Sequence, residues 1–328
     1  MTTRTPWAPG RLWPRLKAQS VYGLETGALQ SIKTHAEYVE GGGVRFLVNV
    51  LENLSRKDKA LKQQGKTTPA NPFLPYDPDL YVTDLSASHL CLLNKFNVVD
   101  HHFLIVTREF ESQENWLTLA DFEALVQCLS EVDGLGFFNG GAIAGASQPH
   151  KHLQVLPTEN GAFALPMDSA IRVAKVGRGV DQGIGYSEAL PFRHAIAPIA
   201  LLTELAKGPE IAAIAQQYFT YYQRLLSAVG ITPVKDGYRP PLQQGQSVPL
   251  DGARCWQGQQ TAAYNLLCTR SWMMVVPRSQ EKHAEISVNS LGFAGSLLVR
   301  NLAALAQLKT IGPMTLLEAV GCPREDVL

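Results

Sequence analysis

The 328-residue chain is short of three things. Its five cysteines (Cys91, Cys128, Cys255, Cys268 and Cys322) are far apart, odd in number and never in a C-x-x-C pair. That excludes a disulfide framework and a cysteine-built zinc knuckle, and it points to a reduced, cytoplasmic setting. It has no surplus charge, with 29 Lys plus Arg against 29 Asp plus Glu. A nucleic-acid coat or a membrane-surface binder needs a broad positive excess, so neither a nucleic acid nor a membrane is expected as a partner. A small polyanion, which needs only a local cluster of donors, stays open. It also has no long apolar run. Ile196 to Ala206 is broken by Pro198, Thr203 and Glu204 and is too short to span a bilayer. The stretch MTTRTPWAPGRLWPRLKAQ lacks the apolar segment of a signal peptide. What the chain does have is core material, 45% hydrophobic residues against 18% charged, enough for two domains or one large unit.

Along the chain, EGGGVRFLVNV (40–50) turns strand-like after three glycines, and a basic run follows with Arg56, Lys57, Lys59, Lys62 and Lys66. NPFLPYDP (71–78) is a proline-punctuated connector. HLCLLNKFNVV (89–99) and HFLIVTR (102–108) read as a hairpin. The apolar spacing over 118–132 predicts a helix capped by Thr118, and that over 210–229 predicts another. YNLLCT (264–269) and SWMMVVPR (271–278) read as a second hairpin, and 286–308 carries a long helical pattern. Residues 238–258, rich in proline, glycine and glutamine, look like an exposed excursion. The two hairpins resemble each other, and a helical pattern follows each, which raises an internal duplication in which one copy kept a histidine strand.

The chemistry concentrates in NGGAIAGASQPHKHLQ (139–154). Side chains alternate along a strand, so His150, His152 and Gln154 share one face while Leu153 and Val155 anchor the other. Three polar groups on one face are costly to bury without a partner. The glycines before them let backbone N–H groups converge on an anion. An anion cradle running into a histidine strand suggests chemistry at phosphorus, with neutral imidazole as the nucleophile. A metal site is the rival reading, but this strand has no cysteine or acidic third ligand.

GASQPHKHLQ, with FFNGG before it, resembles the active-site motif of the ATP adenylyltransferases, or diadenosine tetraphosphate phosphorylases. These are a transferase branch of the histidine-triad superfamily, related to galactose-1-phosphate uridylyltransferase. NPFLPYDPDLYV, LNKFNVVDHHFLIVTREFESQ, YNLLCTRSWMMVVPRS and ISVNSLGFAGSLLV are similar to the same family. The resemblance implies an α+β fold with a mixed, largely antiparallel sheet flanked by helices, in which a catalytic half (1–160) meets a second half (161–328) that completes the sheet and cleft.

It further implies that His152 is the nucleophile and His150 its support. Gln154, standing where related hydrolases have a third histidine, favours transfer of AMP to phosphate over transfer to water. Lys57, Asn94, Lys95, Asn139, Gly145, Ala146, Ser147, Gln148, Asn265, Met274 and Arg278 are the implied nucleotide and phosphate contacts. His89, His101, His102, His194 and His283 are read as serving turns and surfaces, with a stray metal at His101–His102 beside Asp100 as the alternative for that pair. The implied partners are diadenosine polyphosphates, ATP, ADP and inorganic phosphate. Mg2+ arrives on the polyphosphate, and no structural metal is expected. A transferase for another nucleotide, of nucleotide-sugar or adenylyl-sulfate type, and a non-catalytic nucleotide sensor remain as alternatives.

Overall fold

The computed structural model describes residues 7–52, 71–158, 165–176, 183–208, 210–231 and 262–324. Lys57 with its basic run, the 238–258 excursion and the division at residue 160 lie outside the described residues. Ten strands form one sheet. The first five are β3 (Tyr81–Asp84), β4 (His89–Leu93), β5 (Phe103–Thr107), β6 (Gly134–Gly140) and β7 (His152–Pro157). The second five are β8 (Lys175–Val176), β9 (Gly185–Tyr186), β10 (Ala195–Pro198), β11 (Tyr264–Cys268) and β12 (Trp272–Pro277). Their spatial order is β3-β4-β5-β7-β6-β11-β12-β10-β9-β8, antiparallel at every step. Read inward from either edge, the order is the same. In each half a helix lies between the third and fourth strands in sequence, Leu119–Glu131 in one and Ile211–Ala228 in the other.

The fold is therefore duplicated, but not in the pairing the sequence suggests. The hairpin β11–β12 corresponds to β6–β7, the histidine hairpin, and not to β4–β5. The halves abut at β6 and β11, where Asn139 faces Asn265. The capping box at Thr118, closed by Asp121, starts the first helix where its sequence predicts. Phe122 of that helix packs on Phe219 and Tyr222 of the other, so one core covers this face of both halves. A smaller sheet, β1 (Thr34–Gly41), β2 (Val44–Leu51) and β15 (Ser296–Val299), closes the opposite face over the second half.

The long helix expected over 286–308 is broken. The short helix Ser290–Phe293 ends at Gly295, whose φ of 92° suits glycine. The chain then enters β15, parallel to β2, and a helix restarts only at Leu302 behind the Asn301 cap. The apolar residues at 297 and 299 serve sheet pairing, not a helix face.

Candidate active site

β7 sits between β5 and β6, with His152 opposite Val106, and Gln154 opposite Leu104 on one side and Phe137 on the other. Alternation does what the sequence predicts for the strand itself. Leu153 and Val155 enter the helix-side core, while Gln154 and Leu156 line a cleft of about 1170 Å³. His152, 4% exposed, does not itself line that cleft; it precedes Gln154 by two residues on the same strand face, with the Phe73 ring 5.3 Å from its own. Lys151 points the other way and is fully buried; its Nζ lies 2.6 Å from Asp121 Oδ2 and 2.9 Å from Glu111 Oε2. Burial pushes the Asp121 carboxyl up, but the His89 hydrogen bond and the Lys151 charge overcome it and hold the group at about 2. A buried ion pair thus anchors the back of the histidine strand.

Hydrogen bonding fixes the proton positions on both histidines. Asn71 Oδ1 accepts the Phe73 N–H, so its Nδ2 donates to His150 Nδ1 (2.9 Å). His150 must then carry its proton on Nε2, which reaches the Thr107 carbonyl at 2.8 Å. The His150 carbonyl in turn accepts Nδ1–H of His152 at 2.8 Å. This leaves the lone pair of His152 on Nε2, to which no described residue hydrogen-bonds. Burial depresses the His152 pKa to about 4, so the ring is neutral near pH 7. His150 supports its neighbour through its backbone oxygen, not through its ring.

A residue that sequence reasoning missed holds the backbone here. The β6–β7 ladder stops at Phe137–Gln154, and the Gln113 side chain fills the gap. Its Oε1 accepts the His152 N–H (2.8 Å), and its Nε2 donates to the carbonyls of His152 (3.1 Å) and Asn139 (2.9 Å). Nothing in local spacing marks Gln113 for this, because its position depends on where two distant strands part. Asn71 left a faint signal, as an Asx-turn residue two before Phe73.

The glycine loop follows β6 onto the cleft wall, where Gly145, Ala146 and Ser147 stand beside Asn139 and Asn94. Gly145, at φ 89°, packs so close to the next layer that a Cβ would meet the Val288 carbonyl at 2.8 Å. The loop is a narrower anion cradle than its glycines imply. N–H groups of Gly141, Ala144, Gly145 and Ala146 close bonds inside the loop or back to β6, leaving those of Ala142, Ile143, Ser147 and Gln148 without a backbone partner among the described residues. Gln148 is partly exposed and lies off the cleft wall. Asn139 Oδ1 accepts from Asn265 and from both N–H and hydroxyl of Ser290, so Nδ2 is the group it offers to the cleft.

Asn265, Arg278, Met274 and Lys95, implied as nucleotide contacts, stand off the cleft wall. Asn265 is fully buried under the glycine loop, donating to Asn139 Oδ1 and the Ala144 carbonyl. Arg278, 1% exposed, has its guanidinium closed on the Asn265 side chain and on the carbonyls of Ala144, Val288, Gln280, Glu281 and Val320. Burial lowers its pKa to about 9. It braces the loop from beneath and presents no free donor. Met274 is core, packed under the smaller sheet, because its strand face is covered in this half. Lys95 stands partly exposed, 3.9 Å from Asp77, outside the cleft wall. Among the described residues no group of three or more His, Cys, Asp or Glu is placed to hold a metal ion, and no helix is long and apolar enough to cross a membrane.

A neutral imidazole with its lone pair free, two residues along the strand from a glutamine that shares a cleft wall with a short anion cradle, makes a site equipped for group transfer at phosphorus. Comparison with known proteins narrows the class. Residues 2–173 match the Ap4A phosphorylase N-terminal domain and residues 188–323 the ATP adenylyltransferase C-terminal domain; the chain belongs to this family of adenylyltransferases. It is 29% identical over 288 residues to diadenosine 5',5'''-P1,P4-tetraphosphate phosphorylase 2 of Saccharomyces cerevisiae, spanning 80% of this chain and 79% of that one. Its fold matches the crystal structure of yeast Ap4A phosphorylase Apa2 with a TM-score of 0.72, at 24% identity over 100% of this chain and 98% of that one. The Ap4A complex of the same enzyme matches with a TM-score of 0.71, at 22% identity over 99% and 100%.

Proposed function

We propose that this protein splits diadenosine tetraphosphate with inorganic phosphate, giving ADP and ATP, and that AMP is carried between the two half-reactions on His152. Family membership and the yeast relative's activity supply the substrate class. The observation that carries the mechanism is the His152 tautomer, with Nδ1–H held by the His150 carbonyl and Nε2 open. Nε2 forms a bond to the α-phosphorus, the Pα–O bond to the next phosphate breaks, and its electron pair leaves on ATP. Phosphate then attacks the same phosphorus from the vacated side and returns the imidazole lone pair. ATP is a good leaving group and needs no proton, which suits Gln154: its amide holds an oxygen but shuttles no proton to water.

Asn139 Nδ2, the Ser147 hydroxyl and Gln154 are the side-chain donors for the phosphoryl oxygens. Mg2+ carried in by the polyphosphate would neutralise charge on the leaving group. Glu114 and Glu281, on the cleft wall, could share it with the phosphates, as Mg2+ commonly requires. The decisive experiment mixes the protein with α-labelled diadenosine tetraphosphate without phosphate and quenches in base. Acid-labile label should appear on the protein and be absent from His152→Ala. With phosphate added, products should be ADP plus ATP; AMP plus ATP would mean hydrolysis and defeat the proposal.

A further inference from the structure

The protein uses one hydrogen-bonding device twice, and only one use is closed. Asn71 accepts the N–H of Phe73, two residues on (3.0 Å), and donates to His150 Nδ1; the His150 proton, thereby placed on Nε2, goes to the Thr107 carbonyl. Asn94 accepts the N–H of Phe96, two residues on (3.4 Å), and donates to His102 Nδ1 at 3.0 Å. The His102 proton is likewise placed on Nε2. No described residue accepts it. His102 is 7% exposed, and what it exposes lines the cleft. The Gln154 side chain is close enough to favour the His102 proton but falls short of hydrogen-bond geometry at Nε2, and the His152 ring is felt electrostatically. A buried N–H left without an acceptor costs about 1–3 kcal/mol, which a ligand acceptor would remove.

We propose that His102 contacts substrate, its Nε2–H donating to an oxygen of the phosphoryl group that His152 receives. This rests on the transfer reading above. As Nε2 of His152 bonds to phosphorus and the polyphosphate leaves with the electron pair, His102 stabilises the developing charge and keeps its proton. Burial lowers its pKa to about 4, so the donor is a neutral imidazole, and Asn94 is a positioning residue for it. A phosphoryl oxygen fits this group because it accepts and never donates.

The test compares wild type, His102→Leu and His102→Gln in single-turnover labelling with α-labelled diadenosine tetraphosphate, alongside AMP binding by calorimetry. His102→Leu should slow labelling by about 10²-fold with AMP affinity changed by less than about threefold, a split that mere loss of packing would not give. His102→Gln, which returns an N–H donor, should recover a substantial part of the rate. Long-range 1H–15N correlation should place the His102 proton on Nε2 in the wild-type protein. Labelling of His102→Leu at the wild-type rate, or the proton on Nδ1, overturns the proposal while the transfer reading stands. An unlabelled wild-type protein overturns both.

Discussion

Taken in step, the corresponding strands on either side of the central β6–β11 pair are HLQVLP (β7) and WMMVVP (β12), each six residues long and ending in proline. Leu153 and Val155 in one, and Met273 and Val275 in the other, enter the same helix-side core. On the opposite face the strands diverge. Gln154 lines a cleft and His152 shares its strand face, whereas Trp272 and Met274 are packed under the smaller sheet. One scaffold thus supports a site where its outer face stays open and a second core where that face is covered. The same contrast separates two histidines. His194 donates Nδ1–H to the carbonyl two residues back, as His152 does, but its Nε2 accepts the Ser187 N–H at 2.8 Å. The lone pair that is free on His152 is bound on His194, so only one of the two rings can act as a nucleophile.

The contrast is broken most severely at the strand starts. His152→Ala should lower transfer by at least about 10⁴-fold while costing less stability than loss of a core indole, since the imidazole is the smaller ring and its Nδ1–H bond to the His150 carbonyl is local. Trp272→Ala should do the reverse. It opens a core cavity and loses the indole N–H bond to Asp168, destabilising by about 3–5 kcal/mol. The fraction still folded should label at close to the wild-type rate. Denaturant titration beside single-turnover labelling reads both effects, and a matching loss of rate in the two variants would show that the halves are not functionally distinct.

How far the site was legible follows the same division. The period-two pattern of residues 152–156 separates the core face of Leu153 and Val155 from the face that carries Gln154 and Leu156 onto the cleft wall, because a single strand decides it. The helices at 118–132 and 210–229 were equally legible from caps and apolar spacing. In the second half the resemblance implies ligand contacts at Arg278 and Asn265, whereas the tertiary fold sets both to brace the glycine loop from below. His102 reads as a turn residue in the sequence, although Asn94, the partner that fixes its proton, stands out there through the resemblance. Gln113 could not have been found at all, since its role exists only where β6 and β7 separate.

Gln113 offers a smaller and sharper break. Gln113→Ala should cost about 1–3 kcal/mol for the backbone groups it leaves unpaired. It should also slow transfer by about 10- to 100-fold, because His152 is no longer held in register with Asn139. Gln113→Glu keeps the acceptor for the His152 N–H but sets a carboxylate against two carbonyls, and should be no better than the alanine variant. A full rate in either variant would mean that the flanking ladder alone positions His152.

The mildest test uses pH. Burial holds His152 and His194 each at about 4, against an ordinary value near 6.5. Between those values the unfolded chain binds protons that the folded protein refuses, so folding stability should decline as pH falls from about 6.5 toward 4 and level off below it. His194→Gln should flatten that slope while leaving the pH–rate profile unchanged, because its ring takes no part in the chemistry. Transfer itself should stay level from pH 8 to about 5 and fall only as His152 takes up a proton near 4. A rate that instead fell with a midpoint near 6.5 would place the His152 ring in water, and the difference between the two halves of the sheet would then no longer explain why one histidine is a nucleophile and the other is not.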